Sequence, residues 1–171
     1  MACFSKFGAI VIMSEHTKNH GRILIADDDQ AIRQLLLTIM QREHLDADAV
    51  SDGVEAIEKL EENDYSVILL DLMMPRLDGF GVVDYLRENP PAVKPVVLVI
   101  TAYADQKFKQ VDPAIVSGAL RKPFEVADLG SLVRLCARGD DADLSRKLFL
   151  SHDRTIRELA AKHVPRGVEN N

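Results

Sequence analysis

The sequence predicts an α/β fold: a doubly wound, five-stranded parallel sheet with helices on both faces. Three observations carry this. From Arg22 to Arg138 short apolar runs alternate with segments of helical period. Two of the runs, Ser66 to Leu70 and Pro95 to Ile100, are apolar on both faces, as a sheet covered on two sides requires. Acidic, hydroxyl and amine residues recur directly after the runs, where such sheets place their ligands.

Each element has its own signal. Arg22-Ile23-Leu24-Ile25-Ala26 reads as the first strand, and Ile32, Leu35, Leu36, Ile39 and Met40 then recur at helical spacing. Ala47 to Val50 is a short second strand, followed by a helix with Val54, Ile57 and Leu60 on its stripe, opened by Ser51-Asp52-Gly53. Ser66 to Leu70 is the third strand. Phe80, Val83 and Leu86 mark a third helix, stopped by Asn89-Pro90-Pro91 because proline has no amide hydrogen to donate. Pro95 to Ile100 is the fourth strand. A fourth helix is expected within Asp105 to Gly118, interrupted by Pro113, and a short fifth strand over Ala119 to Arg121. Leu129, Leu132, Val133 and Cys136 form the stripe of a fifth helix ending near Gly139.

Composition bounds the rest. With 171 residues, 47% of them hydrophobic, the chain can bury one domain plus appendages. A net charge of -6 gives no support to a broad nucleic-acid or membrane footprint. Cys3 and Cys136 are too few and too far apart for a disulfide framework, which fits a reducing compartment. Ala9 to Met13 is too short an apolar run for a membrane span or a secretory signal, so a cytoplasmic protein is expected. Residues 1–20 read as a flexible extension, with Met13 an alternative start; 21–138 read as the domain and 139–171 as a tail.

The chemistry sits after the strands. Asp27, Asp28 and Asp29 follow the first strand, Asp71 the third, Thr101 the fourth and Lys122 the fifth. Carboxylates crowded in a partly dry cleft repel one another unless a divalent cation or an ammonium neutralises them. Hard oxygen donors without imidazole or thiolate favour Mg2+, and Lys122 supplies a further positive charge. Each residue alone has a plainer reading. An acid run before a helix is more often an N-terminal cap, an Asp after a strand can be a turn former, and a lone Thr or Lys a cap or a solvated side chain. The joint placement at four strand ends is what points to a site.

The blocks ILIADDDQAIRQLL, VILLDLMMPRLDGF, VLVITAYA and LRKPF resemble the receiver domain of bacterial two-component response regulators, over about Arg22 to Arg138. The resemblance implies a flavodoxin-like sheet of order 2-1-3-4-5 and a Mg2+-dependent phospho-acceptor served by a histidine kinase or a histidine phosphotransfer protein. Asp71 matches the acid that becomes an aspartyl phosphate. Asp27 and Asp28 match the acidic metal pair, Asp28 as a direct ligand and Asp27 more through water. Met73 would add its backbone carbonyl as a metal ligand. Thr101 matches the hydroxyl that meets the phosphoryl oxygen, and Lys122 the lysine that pairs with it, with Pro123 fixing the backbone behind. Positioning and charge neutralisation carry such a transfer. The output is a changed surface for a downstream protein partner.

Two departures qualify the match. The family usually has an aromatic three residues before the lysine, where this chain has Ala119, and Pro113 points to an irregular fourth helix. Met73 and Tyr103 flank the acceptor pocket in the family, and their bulk is expected to hinder the hydrolytic water.

In the tail, Leu144, Leu148, Ile156, Leu159 and Ala160 suggest short amphipathic helices with Ser151 as a cap, and Arg154, Arg157, Lys162 and Arg166 a modest basic face. That is too short for a customary DNA-reading effector. The tail is expected to dock on the domain, to mediate homodimer formation or to be partly disordered, and no direct DNA binding is expected. The leading expectation is a stand-alone response regulator that is not a turnover enzyme. The alternatives are a phosphate-independent interaction module, which Ala119 allows, and a Mg2+-dependent aspartyl phosphohydrolase. The dehalogenase-like form of the last wants an acid where Met73 stands.

Overall fold

The structure, a computed structural model, describes residues 21–102 and 111–138. Its elements are β1 (Ile23–Ala26), α1 (Gln30–Arg42), β2 (Ala47–Val50), α2 (Gly53–Glu62), β3 (Val67–Leu70), α3 (Gly79–Glu88), β4 (Val96–Thr101), β5 (Val116–Arg121) and α4 (Val126–Arg138). The strands form one sheet of order β2-β1-β3-β4-β5, with every neighbouring pair parallel. This is the flavodoxin-like doubly wound arrangement.

The period of two along each strand divides the core in half. Ile23 and Ile25, Val67 and Leu69, and Leu98 and Ile100 point to one side, where Leu36, Ile39 and Met40 of α1 and Leu129, Leu132 and Val133 of α4 cover them. Leu24 and Ala26, Ile68 and Leu70, and Val97 and Val99 point to the other, against Ala56 of α2 and Val82, Val83 and Leu86 of α3. Strands buried on both faces explain the unbroken apolar runs. Among the described residues no helix is long and apolar enough to cross a membrane.

Two expectations need correction. Residues 111–118 carry no helix: Asp112 turns the chain by accepting the N–H groups of Ala114, Ile115 and Val116, and β5 starts at Val116 rather than Ala119. Val-Ser-Gly is a poor strand signature, yet Val116 pairs with Val97 and Gly118 with Leu98, Ser117 being the extra residue of a bulge. The remainder of the expected helix, 105–110, lies outside the described residues, as do the extension 1–20 and the tail 139–171 with its expected helices and basic face. The stripe of α2 is also rotated, and that of α3 keeps Val83 and Leu86 in the core but differs at its start. Val54 is exposed and Ala56 takes the core position, while Val82 replaces Phe80 as a fully buried residue of α3.

Candidate functional site

Strand register builds the site. Ala26 pairs with Leu70, so Asp27 and Asp71 leave the sheet side by side; Asp71 N–H donates to Ala26 O at 2.8 Å. One strand further, Leu70 pairs with Val99, and Thr101 pairs with Arg121 at the end of β4 and β5. Lys122 N–H donates to Thr101 O at 3.1 Å, which starts Lys122 from the same rim. Thus residues as far as 95 positions apart meet at the carboxyl ends of four strands.

The side chains complete the convergence. Lys122 Nζ donates to Asp27 Oδ2 at 2.6 Å and to Asp71 Oδ2 at 2.7 Å. Carboxylate oxygens of Asp27, Asp28 and Asp71 lie within 4.8 Å of one another. Asp27, Asp71 and Thr101 are buried, whereas Asp28 is exposed at the mouth. Met73 N–H donates to Asp71 Oδ1 at 3.1 Å, which orients the carboxylate from its other side. The peptide bond between Lys122 and Pro123 is cis.

The acid run therefore resolves into three roles. Asp29 is the cap: its Oδ1 accepts the N–H groups of Ala31 and Ile32 at 2.7 and 3.2 Å. Asp27 is turned inward, its Oδ1 held by Asp29 N–H at 3.0 Å. Asp28 faces the opening. The plain capping reading holds for Asp29 alone, and the other two acids cluster with Asp71.

Charge balance says what the rim can hold. Burial pushes the Asp27 carboxyl above its ordinary range; the Asp71 charge adds to this, while Lys122 and Asp29 N–H pull the other way. Burial also works against the Lys122 ammonium, but its bonds to Asp27 and Asp71 outweigh it and keep the proton on. Three carboxyl groups face one ammonium, and a divalent cation relieves that imbalance. The all-oxygen donor set fits Mg2+.

Sequence reading missed one set of partners. Arg76, in the loop after Asp71, pairs with Asp52 and Glu55 at the start of α2. No local signal marks a pair 24 positions apart. At the opposite end of the sheet, Tyr65 O–H donates to Asp48 at 2.6 Å and Arg22 joins the same carboxylate at 2.8 Å, tying β2 to the segment before β3.

Known proteins resemble this chain in sequence and fold. The family model for the response regulator receiver domain matches residues 23–134. The transcriptional regulatory protein SrrA of Staphylococcus aureus (strain NCTC 8325 / PS 47) is 40% identical over 86 residues, which are 50% of this chain and 34% of that protein. The chain thus matches about a third of the length of that curated relative. Among solved structures, the receiver domain of the Francisella response regulator 1452 superposes with a TM-score of 0.63 at 29% identity, covering 70% of this chain and 98% of that one. Response regulator protein TrrA from Thermotoga maritima, in complex with Mg(2+)-BeF, gives a TM-score of 0.60 at 27% identity, covering 68% and 98%. With the matched segment and the sheet order in agreement, this chain belongs to the response regulator receiver domain family.

Proposed function

We propose that the protein is a phospho-acceptor that takes a phosphoryl group on Asp71 and signals through a changed protein-binding surface. The observation that carries this is the Lys122 ammonium shared between Asp27 and Asp71 at the mouth of the sheet. In the transfer, an Asp71 carboxylate oxygen attacks phosphorus as the bond from phosphorus to the donor histidine nitrogen breaks; that nitrogen leaves with the electron pair and regains a proton. Lys122 holds the acceptor carboxylate, and on transfer its ammonium is placed to pair with a phosphoryl oxygen. Thr101, buried at the end of β4, offers its hydroxyl to another. Asp27, Asp28, Asp71 and the Met73 carbonyl would hold Mg2+, which would supply charge neutralisation at the phosphoryl oxygens.

The donor is a histidine kinase or phosphotransfer protein, the receiver of the signal a downstream protein, and the chain acts once per phosphate rather than as a turnover enzyme. Incubation with acetyl phosphate and Mg2+ followed by intact mass measurement tests this. The expected result is the mass of one added phosphoryl group, lost in Asp71→Asn; unchanged labelling in that variant overturns the assignment.

Ala119 favours a second reading. It is buried in β5, paired with Val99, where the resemblance leads one to expect an aromatic switch. On this reading the domain takes up phosphate but binds its partner equally with or without it. A partner affinity that changes on labelling selects the first reading, an unchanged one the second.

A further inference from the structure

The loop joining β3 to α3 is fastened to the start of α2. At its middle Arg76 has φ 62°, the left-handed region that costs a residue bearing a Cβ about 1 kcal/mol. Glycine is the usual occupant. What retains an arginine there is its guanidinium. Nε donates to Asp52 Oδ2 at 2.6 Å, a terminal nitrogen donates to the same oxygen, and that nitrogen also reaches Glu55 Oε1 at 3.1 Å.

The anchor itself is fixed. Asp52 is 2% exposed, and its Oδ1 caps α2 by accepting the N–H groups of Val54 and Glu55 at 2.9 and 3.1 Å. Burial opposes the Asp52 charge, but those amides and the guanidinium outweigh it and hold the carboxyl below its ordinary range. A main-chain bond seals the junction: Gly53 N–H donates to Leu77 O at 2.9 Å, and a Cβ on Gly53 would lie 2.5 Å from that oxygen. At its base the loop closes through Gly79 N–H on Leu72 O at 3.2 Å. Met73 lies between that closure and the Arg76 anchor.

We propose that Arg76 is a positioning residue for the divalent cation: its clamp on Asp52 fixes the loop so that the Met73 carbonyl is held at the metal-binding rim. This rests on the reading of Asp27, Asp28, Asp71 and Met73 as the metal ligands. The sign of the effect separates a clamp from a mere charge. A guanidinium near an acidic rim repels a cation, so deleting its charge alone tightens Mg2+ binding. Releasing the loop weakens it.

The test is calorimetric titration of Mg2+ into the full chain as wild type, Arg76→Gly, Arg76→Lys, Asp52→Ser and the double variant Arg76→Gly with Asp52→Ser. Arg76→Gly permits the left-handed backbone at no steric cost, and Asp52→Ser keeps a capping hydroxyl, so both are chosen to preserve the fold. Arg76→Gly and Asp52→Ser are each expected to weaken Mg2+ binding about tenfold, as loss of an outer support does. Arg76→Lys is expected to weaken it less, and the double variant no more than the worse single one. Mg2+ affinity in Arg76→Gly equal to or tighter than wild type overturns the clamp while the metal reading stands, as do single losses that add in the double variant. Wild-type protein that binds no Mg2+ overturns the metal reading, and the clamp with it.

Discussion

Lys122 Nζ lies 2.7 Å from Asp71 Oδ2 although 51 positions separate the two residues. Its contact with Asp27 makes it the counter-charge of both buried acids. Lys122→Met keeps the bulk and removes the charge, leaving two facing carboxylates without it. Breaking such a pair from one side is expected to lower stability by about 3 kcal/mol. On the proposed metal reading, Mg2+ should then recover part of the loss by binding the folded state. Urea denaturation in EDTA and in Mg2+ measures both; a variant as stable as wild type in EDTA contradicts the role.

Asp27 predicts a pH dependence of unusual sign. Its carboxyl is raised above the ordinary 3.8, chiefly by burial. The folded state therefore binds that proton more tightly than the unfolded chain does. Without metal, this group favours folding most below pH 3.8 and progressively less as pH rises from there through its folded value. Asp27→Asn, which cannot ionise, should exceed wild type in stability at neutral pH in EDTA, with the gap closing in acid. On the proposed reading of Asp27 as a metal ligand, Mg2+ should reverse the ranking. Denaturant midpoints across pH, with and without Mg2+, check this, and a gap that grows in acid refutes it.

The sheet and the rim were legible because each rests on local pattern. Runs such as Val67 to Leu70 must be apolar to fill both halves of the core, and parallel register then carries Asp27 and Asp71 to one place. Val116 to Gly118 was not legible, because a serine and a glycine in a strand weaken its signature and only pairing with Val97 and Leu98 reveals it. Nor was the choice of Ala56 over Val54 as the buried residue of α2, which depends on how the helix is rolled against the sheet. Arg76 on Asp52 escaped for a third reason. Ion pairs between loops leave no period in the sequence, and the acid had a sufficient local explanation as a cap.

Gly79 ties the acceptor loop to the start of α3. A Cβ there would stand 2.3 Å from Asp71 O and 2.8 Å from Leu72 Cα, and main-chain atoms cannot swing aside as a flexible side chain can. Gly79→Ala must therefore push α3 away from the end of β3, at an expected cost of about 3 kcal/mol. Weaker Mg2+ binding should accompany it, since the displaced atoms belong to Asp71 and its neighbour. Thermal denaturation and Mg2+ titration of the purified variant check the two effects; a loss below that of a surface substitution shows that the close approach relaxes freely.

If Asp71 takes up phosphate as proposed, Met73 is expected to influence how long the phosphoryl group persists. Its N–H holds Asp71 Oδ1, and the residue is 43% exposed. On the proposed function, an apolar side chain at this position is expected to obstruct a water approaching phosphorus, to which it offers no hydrogen bond. Tyr103, expected to act with it, lies outside the described residues. Met73→Asn replaces the thioether with an amide that can orient the attacking water, and hydrolysis depends on that water reaching near-attack geometry. The phosphorylated variant should therefore lose its label several-fold faster than wild type. Labelling with acetyl phosphate, removing the donor and following intact mass with time measures the decay; equal half-lives would assign the Met73 side chain no part in it.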